Sequence, residues 1–152
     1  MKLLGTIFTL FTLLIFLIYP KFTLAQVKKV EVDLTNQRLY AFQNNQVMYN
    51  FPISSGKWAL TPTGTFYPYY KTLSTRMTGG NPAIGTFYDL PNVPYDVFFY
   101  QGYALHGTYW HSNFGHPMSH GCINMQTDQA QLIYNWIDYS TPISIYGVTP
   151  RS

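Results

Sequence analysis

A period of two runs through much of the chain. Val30, Val32 and Leu34 alternate with Glu31 and Asp33, and Val47, Tyr49, Phe51 and Ile53 repeat the pattern. Such alternation puts successive side chains on opposite faces of a strand, one buried and one wet. Asn44-Asn45 separates residues 39–42 from 47–53, and asparagine tolerates the positive φ of a tight hairpin turn. "TPTGTF", residues 61–66, reads as a turn feeding a further strand over 66–70. Residues 97–100 and 103–107 read as a pair around Gln101-Gly102, with His106 near the end of the second, and 143–146 as a last short strand. Residues 74–96, with Gly79-Gly80, Pro82, Pro91 and Pro94, read as a long irregular segment of the kind that is functional or mobile, and are the candidate wall of a substrate-acceptor site.

One helix is expected, over residues 128–138. Leu132, Ile133, Trp136 and Ile137 share one face there, Thr127 or Asp128 can cap the start, and Pro142 follows the end. The expected fold class is mostly β (α+β). Aromatics make up 18% of the chain and charged residues 10%; tyrosine and phenylalanine suit strands, which accounts for most of them, and a few can line a groove.

Residues 1–25 read as a signal peptide or an N-terminal membrane anchor. Lys2 supplies a thin positive end, residues 3–18 are an uncharged apolar run, Pro20 breaks it, and Thr23-Leu24-Ala25 offers a cleavage site before Gln26. The run comes close to the ~17 residues that could cross a bilayer, so a membrane tether through residues 3–19 stands beside cleavage. Either way the remainder is expected to be extracytoplasmic: secreted, periplasmic, or attached to the membrane or cell wall. Without residues 1–25 the chain keeps seven basic and six acidic residues. A near-neutral chain without a basic cluster argues against a nucleic-acid partner. Residues 26–152 are long enough for one domain with one core, and a monomer is expected.

The stretch "HGTYWHSNFGHPMSHGCIN", residues 106–124, holds all four histidines and the only cysteine. A lone cysteine cannot form an intramolecular disulfide; it is either a small buried hydrophobe or a thiol with a use. The spacing H-x4-H-x4-H-x3-H-x-C matches neither the paired cysteines of structural zinc sites nor the helical H-E-x-x-H arrangement, so no metal and no cofactor is expected. Nucleophilic catalysis fits better. A thiol with a free pKa near 8.5 needs an imidazole within reach, and a histidine at a strand end can meet a cysteine sixteen residues later across a glycine-rich loop. Gly121 before Cys122 lets a substrate carbonyl approach the backbone, where N–H groups can stabilise an oxyanion. The chemistry implied is acyl transfer through a thioester, with the Cys122 pKa depressed by an imidazolium neighbour.

"SHGCIN", residues 119–124, preceded by "HGTYWHSNFG" and "TPTGTF", resembles the L,D-transpeptidase catalytic domain, the YkuD-like family of bacterial cell-wall enzymes. The likeness runs from about Lys29, through Ser55-Gly56, to Ile145. It implies a sandwich-like β fold with one main helix after the cysteine, no cofactor, and peptidoglycan stem peptides as partners. It also implies that Cys122 attacks the third-residue carbonyl of a stem tetrapeptide, that D-Ala leaves, and that an amine acceptor resolves the thioester in a cell-wall cross-link. Carried over, Cys122 is the nucleophile and His106 the base, the Gly107 carbonyl orients the imidazole, and His120, Ser119 and Gly121 shape the pocket and oxyanion site.

Many members carry arginine where Asn124 stands and others asparagine, which places the chain in a subgroup. Candidate substrate contacts are Asn124, Arg76 and Trp110, with Lys71 a further cation; Trp110 is either a core aromatic or a pocket wall. His111 and His116 read as local hydrogen-bonding or surface residues. The alternatives are an L,D-carboxypeptidase or wall-protein-releasing hydrolase using the same site, and a non-catalytic wall-binding or zinc-binding domain.

Overall fold

The computed structural model describes residues 26–151; the expected signal or anchor at residues 1–25 lies outside them. Among the described residues no helix is long and apolar enough to cross a membrane.

Among the described residues nine strands form two sheets. In chain order they are β1 (Lys28–Asp33), β2 (Arg38–Gln43), β3 (Gln46–Pro52), β4 (Gly64–Phe66), β5 (Tyr70–Gly79), β6 (Tyr88–Tyr100), β7 (Tyr103–Thr108), β8 (Ile123–Gln126) and β9 (Ile143–Tyr146), with helix α1 (Thr127–Trp136) between the last two. The first sheet is ordered β3-β2-β1-β9-β4 and the second β5-β6-β7-β8. The mostly β, two-sheet architecture with one α-helix after the cysteine is the one expected.

Local chemistry explains the elements. Asn44 and Asn45 both take positive φ, 51° and 64°, and close the β2–β3 hairpin. Val30, Val32 and Leu34, at most 2% exposed, point inward from β1 and just beyond it. They meet Val97, Leu105, Ile123 and Met125 of the second sheet and Ala130, Ile133 and Ile137 of the helical stretch in one core. Burying such aliphatic side chains contributes about 1.5–3 kcal/mol each.

Three expectations change. The strand foreseen over residues 66–70 is two strand ends. β4 joins the first sheet and β5 opens the second, and Pro68 stands where the chain passes between them. The irregular segment over residues 74–96 is instead a long antiparallel hairpin of β5 and β6, its tip a short 3-10 turn at Pro82–Ile84. Pro91 and Pro94 are tolerated because β6 pairs with β7 only from Val97 onward; before that its second edge is free, and a missing N–H costs no ladder bond. The helix begins after Gln126 without a side-chain cap, so neither Thr127 nor Asp128 serves as one. Its buried stripe is Ala130, Ile133 and Ile137, with Leu132 44% exposed.

Candidate active site

β7 and β8 run parallel, and their register puts His106 beside Asn124. Cys122, one residue before β8, therefore reaches the same edge as His106. Both side chains line a cavity of about 440 Å³, within the range of small-molecule sites. The walls come from Trp110, Met118, Ser119 and His120 of the β7–β8 loop, from Gly102 and Tyr103, and from Met77, Tyr88 and Leu90 of the β5–β6 hairpin.

The cysteine loop is held by backbone pairing. Ser54 and Asn124 exchange N–H···O bonds of 2.9 Å, and Ser55 O accepts from Met118 N at 2.9 Å and Ser119 N at 3.0 Å. Ser119 Oγ donates to Cys122 O at 2.6 Å and accepts from Gly121 N at 3.0 Å. Thr61 Oγ1 donates to Gly121 O at 2.8 Å while accepting from Gly56 N, also at 2.8 Å. Gly121 has φ 131°, and a Cβ there would lie 2.2 Å from the Tyr103 ring, so only glycine fits. Its N–H is already bonded to Ser119. In this state Gly121 therefore serves close packing and does not offer the oxyanion a donor.

His106 is 2% exposed, and its Nδ1 lies 2.9 Å from Gly107 O. The carbonyl fixes Nδ1–H, which leaves Nε2 as the basic nitrogen. Burial pushes the imidazole down to about 4 despite that carbonyl, with His111 adding a small repulsion. Burial likewise pushes the half-buried Cys122 thiol up to about 11; the Ala104 backbone N–H opposes the rise and Asp96 adds to it. Its surroundings thus raise the thiol pKa, where an imidazolium neighbour was expected to depress it. The two groups rest as thiol and neutral imidazole, because desolvation penalises both charged forms.

His111 Nδ1 accepts the Asn113 N–H at 3.2 Å, and the Asn124 amide lies 2.9 Å from Nε2. A neutral ring carries one proton, so Nε2 donates when the amide, placed with Nδ2 toward the ring, is turned to present its oxygen. Asn124 lines the cavity but is only 2% exposed. Trp110 is a cavity wall, its ring 5.7 Å from that of His106. His120 stacks on Tyr88 at 4.7 Å. His116 is exposed.

The candidate cations are elsewhere. Arg76 pairs with Asp89 across the hairpin through Nε and Oδ1 at 2.7 Å, and it does not line the cavity. Lys71 donates to Tyr134 O and Ile137 O at 2.6 and 2.7 Å, a cation on the helix C-terminus. Among the described residues no three His, Cys, Asp or Glu side chains are placed to share a metal ion.

Residues 74–96, expected to form a wall of the site, do line the cavity through Met77, Tyr88 and Leu90, whereas the sequence reading missed Asp96. Met77 and Leu90 are cross-strand partners, legible only once the hairpin is seen. Asp96 on β6 is 0% exposed, neither of its carboxylate oxygens has a hydrogen-bond partner among the described residues, and burial pushes it up to about 7. Its signal was present: Val97 and Phe99 face the core, so alternation turns Asp96 to the face that carries His106.

The family model for the L,D-transpeptidase catalytic domain matches residues 27–145, and the chain belongs to that family. Among solved structures it is similar to an L,D-transpeptidase from Mycobacterium smegmatis, with 25% identity and a TM-score of 0.75 over 80% of this chain and 59% of that one. It is also similar to a cysteine-to-serine mutant of the Enterococcus faecium L,D-transpeptidase, with 28% identity and a TM-score of 0.70 over 79% of this chain and 50% of that one. The Mycobacterium tuberculosis L,D-transpeptidase 3 shares the fold at 20% identity and a TM-score of 0.73, over 80% of this chain and 62% of that one. The chain thus spans less than two thirds of these proteins' lengths. No curated protein matches it by sequence.

Proposed function

We propose that this chain is an extracytoplasmic L,D-transpeptidase that cross-links peptidoglycan stem peptides through a thioester on Cys122. One observation carries the reading: His106 on β7 and Cys122, just before the parallel neighbour β8, line a single cavity, with His106 Nδ1 tied to Gly107 O. Because thiol and imidazole rest neutral, proton transfer accompanies attack and does not precede it. The Cys122 sulfur bonds to the third-residue carbonyl carbon as its proton passes to His106 Nε2, and the Gly107 carbonyl holds the imidazolium in place. The C–N bond to D-Ala breaks, and the departing amine takes that proton. The acceptor amine then attacks the thioester, gives its proton to Nε2, and the thiol is restored.

Incubation with stem tetrapeptide tests this. Released D-Ala together with a dimer joined between third residues, seen by mass spectrometry, is the expected outcome. D-Ala with tripeptide alone would assign a carboxypeptidase, and no D-Ala would refute the reading.

A further inference from the structure

Residues 64–70 read GTFYPYY and residues 97–103 read VFFYQGY, with no charged side chain in either. The fold brings the two together. Phe66 ends β4 in one sheet, Tyr70 opens β5 in the other, and Tyr70 is the cross-strand partner of Phe98. The Tyr69 and Tyr70 rings lie 6.3 and 5.9 Å from Phe98; Phe66 lies 5.1 Å from Tyr100, and Tyr100 stacks on Tyr103 at 6.1 Å. The Tyr69 hydroxyl donates to the Gln101 carbonyl and ties the two groups of rings. Phe66 rests 5.5 Å from the core residue Phe99, so the band has a firm backing.

Tyr69, Tyr70 and Tyr100 are nonetheless 54%, 52% and 39% exposed. A contiguous exposed aromatic surface marks a binding site more often than it marks chance. Tyrosine pairs an apolar ring with a polar tip. A band of such rings without charge suits a partner that is apolar on its faces, hydroxyl-rich at its edges and uncharged along the band. A pyranose chain meets that description; an acidic peptide or a phospholipid headgroup does not.

The occupant follows from continuity. Tyr103 lines the cavity that holds Cys122, and the band starts there. In a stem peptide the attacked third residue is separated from the sugar by two residues and the acyl group that links them. At about 3.3–3.6 Å per residue this puts the sugar more than roughly 10 Å from the sulfur, long enough for the strand to lie outside the cavity that Tyr103 lines. We infer that the band from Tyr103 through Tyr100 to Tyr69 and Tyr70 binds the glycan strand that carries the stem, an inference that rests on the stem-peptide reading of the cavity.

Two measurements test it. Glycan oligomers freed of stem peptides should bind the chain in titration calorimetry, bind Tyr100→Phe comparably, and bind the Tyr70→Ala/Tyr100→Ala double variant at least tenfold more weakly. The kcat/KM for glycan-bearing tetrapeptide relative to free tetrapeptide should fall roughly tenfold in the double variant, the loss of about 1.4 kcal/mol. Circular dichroism of the double variant should match the parent. If the stem-free glycan fails to bind the parent chain, or if the double variant loses both substrates equally, the inference is overturned. Binding to vesicles of anionic phospholipid in place of glycan would overturn it too. If the glycan binds while no tetrapeptide is turned over, the stem-peptide reading fails and the surface stands alone.

Discussion

Cys122 and His106 sit together in their uncharged forms, and that sets what substitution and pH should do. Cys122→Ala and His106→Ala should each lower acyl transfer by at least 10³-fold with far-UV circular dichroism unchanged, since paired groups fail as a unit. In the free chain the midpoint of thiol alkylation against pH should lie near 11, as for a thiol pushed up to about 11 by burial. Asp96→Asn should lower that midpoint, because the carboxylate adds to the rise. His106→Gln should barely move it, since a neutral ring contributes no charge; a large upward move would restore the imidazolium reading. Asp96 also couples stability to pH. Its carboxyl, raised from 3.8 to about 7, favours the folded state fully below the unfolded pKa and loses that contribution as pH rises through 7. The loss amounts to up to about 4 kcal/mol at 1.36 kcal/mol per unit. The Tm of the parent should therefore fall more steeply between pH 5 and pH 8 than that of Asp96→Asn, and parallel curves would refute the assignment. At this scale the meeting of Cys122 and His106 in one cavity was legible, because a motif fixes it. The resting protonation was not, because desolvation depends on which distant segments cover the pair.

Among elements, the β5–β6 hairpin carries the widest departure from expectation. Glycines and prolines punctuate residues 74–96, and local chemistry alone reads them as a loop. An edge left free by the neighbouring strand removes the penalty, and nothing in the local sequence announces that edge. By contrast the Asn44-Asn45 hairpin and β9 were legible in full, since one rests on turn chemistry and the other on a short apolar run between breakers. Met77 and Leu90 project from the hairpin onto the cavity and form its far wall from the cysteine loop. Met77→Ala/Leu90→Ala should leave acylation of Cys122 intact and lower the ratio of dimer to tripeptide severalfold, since an amine must be positioned to outcompete water. An unchanged ratio by mass spectrometry would remove the hairpin from acceptor placement.

Over the whole molecule, the first sheet joins distant parts of the sequence. β9 lies between β1 and β4, parallel to β1 and antiparallel to β4, so a late segment fills a central place. A chain ending at residue 142 should lack the cooperative thermal transition of the parent and be cut rapidly by protease, whereas removal of residues 150–152 should leave the transition intact. Pairings of such long sequence separation close slowly. The first sheet lacks its bridging strand until residues 143–146 pair, whereas the second sheet, which carries the thiol site, is complete in sequence by Gln126. The two sheets thus close on different segments, and only the first waits for residues 143–146.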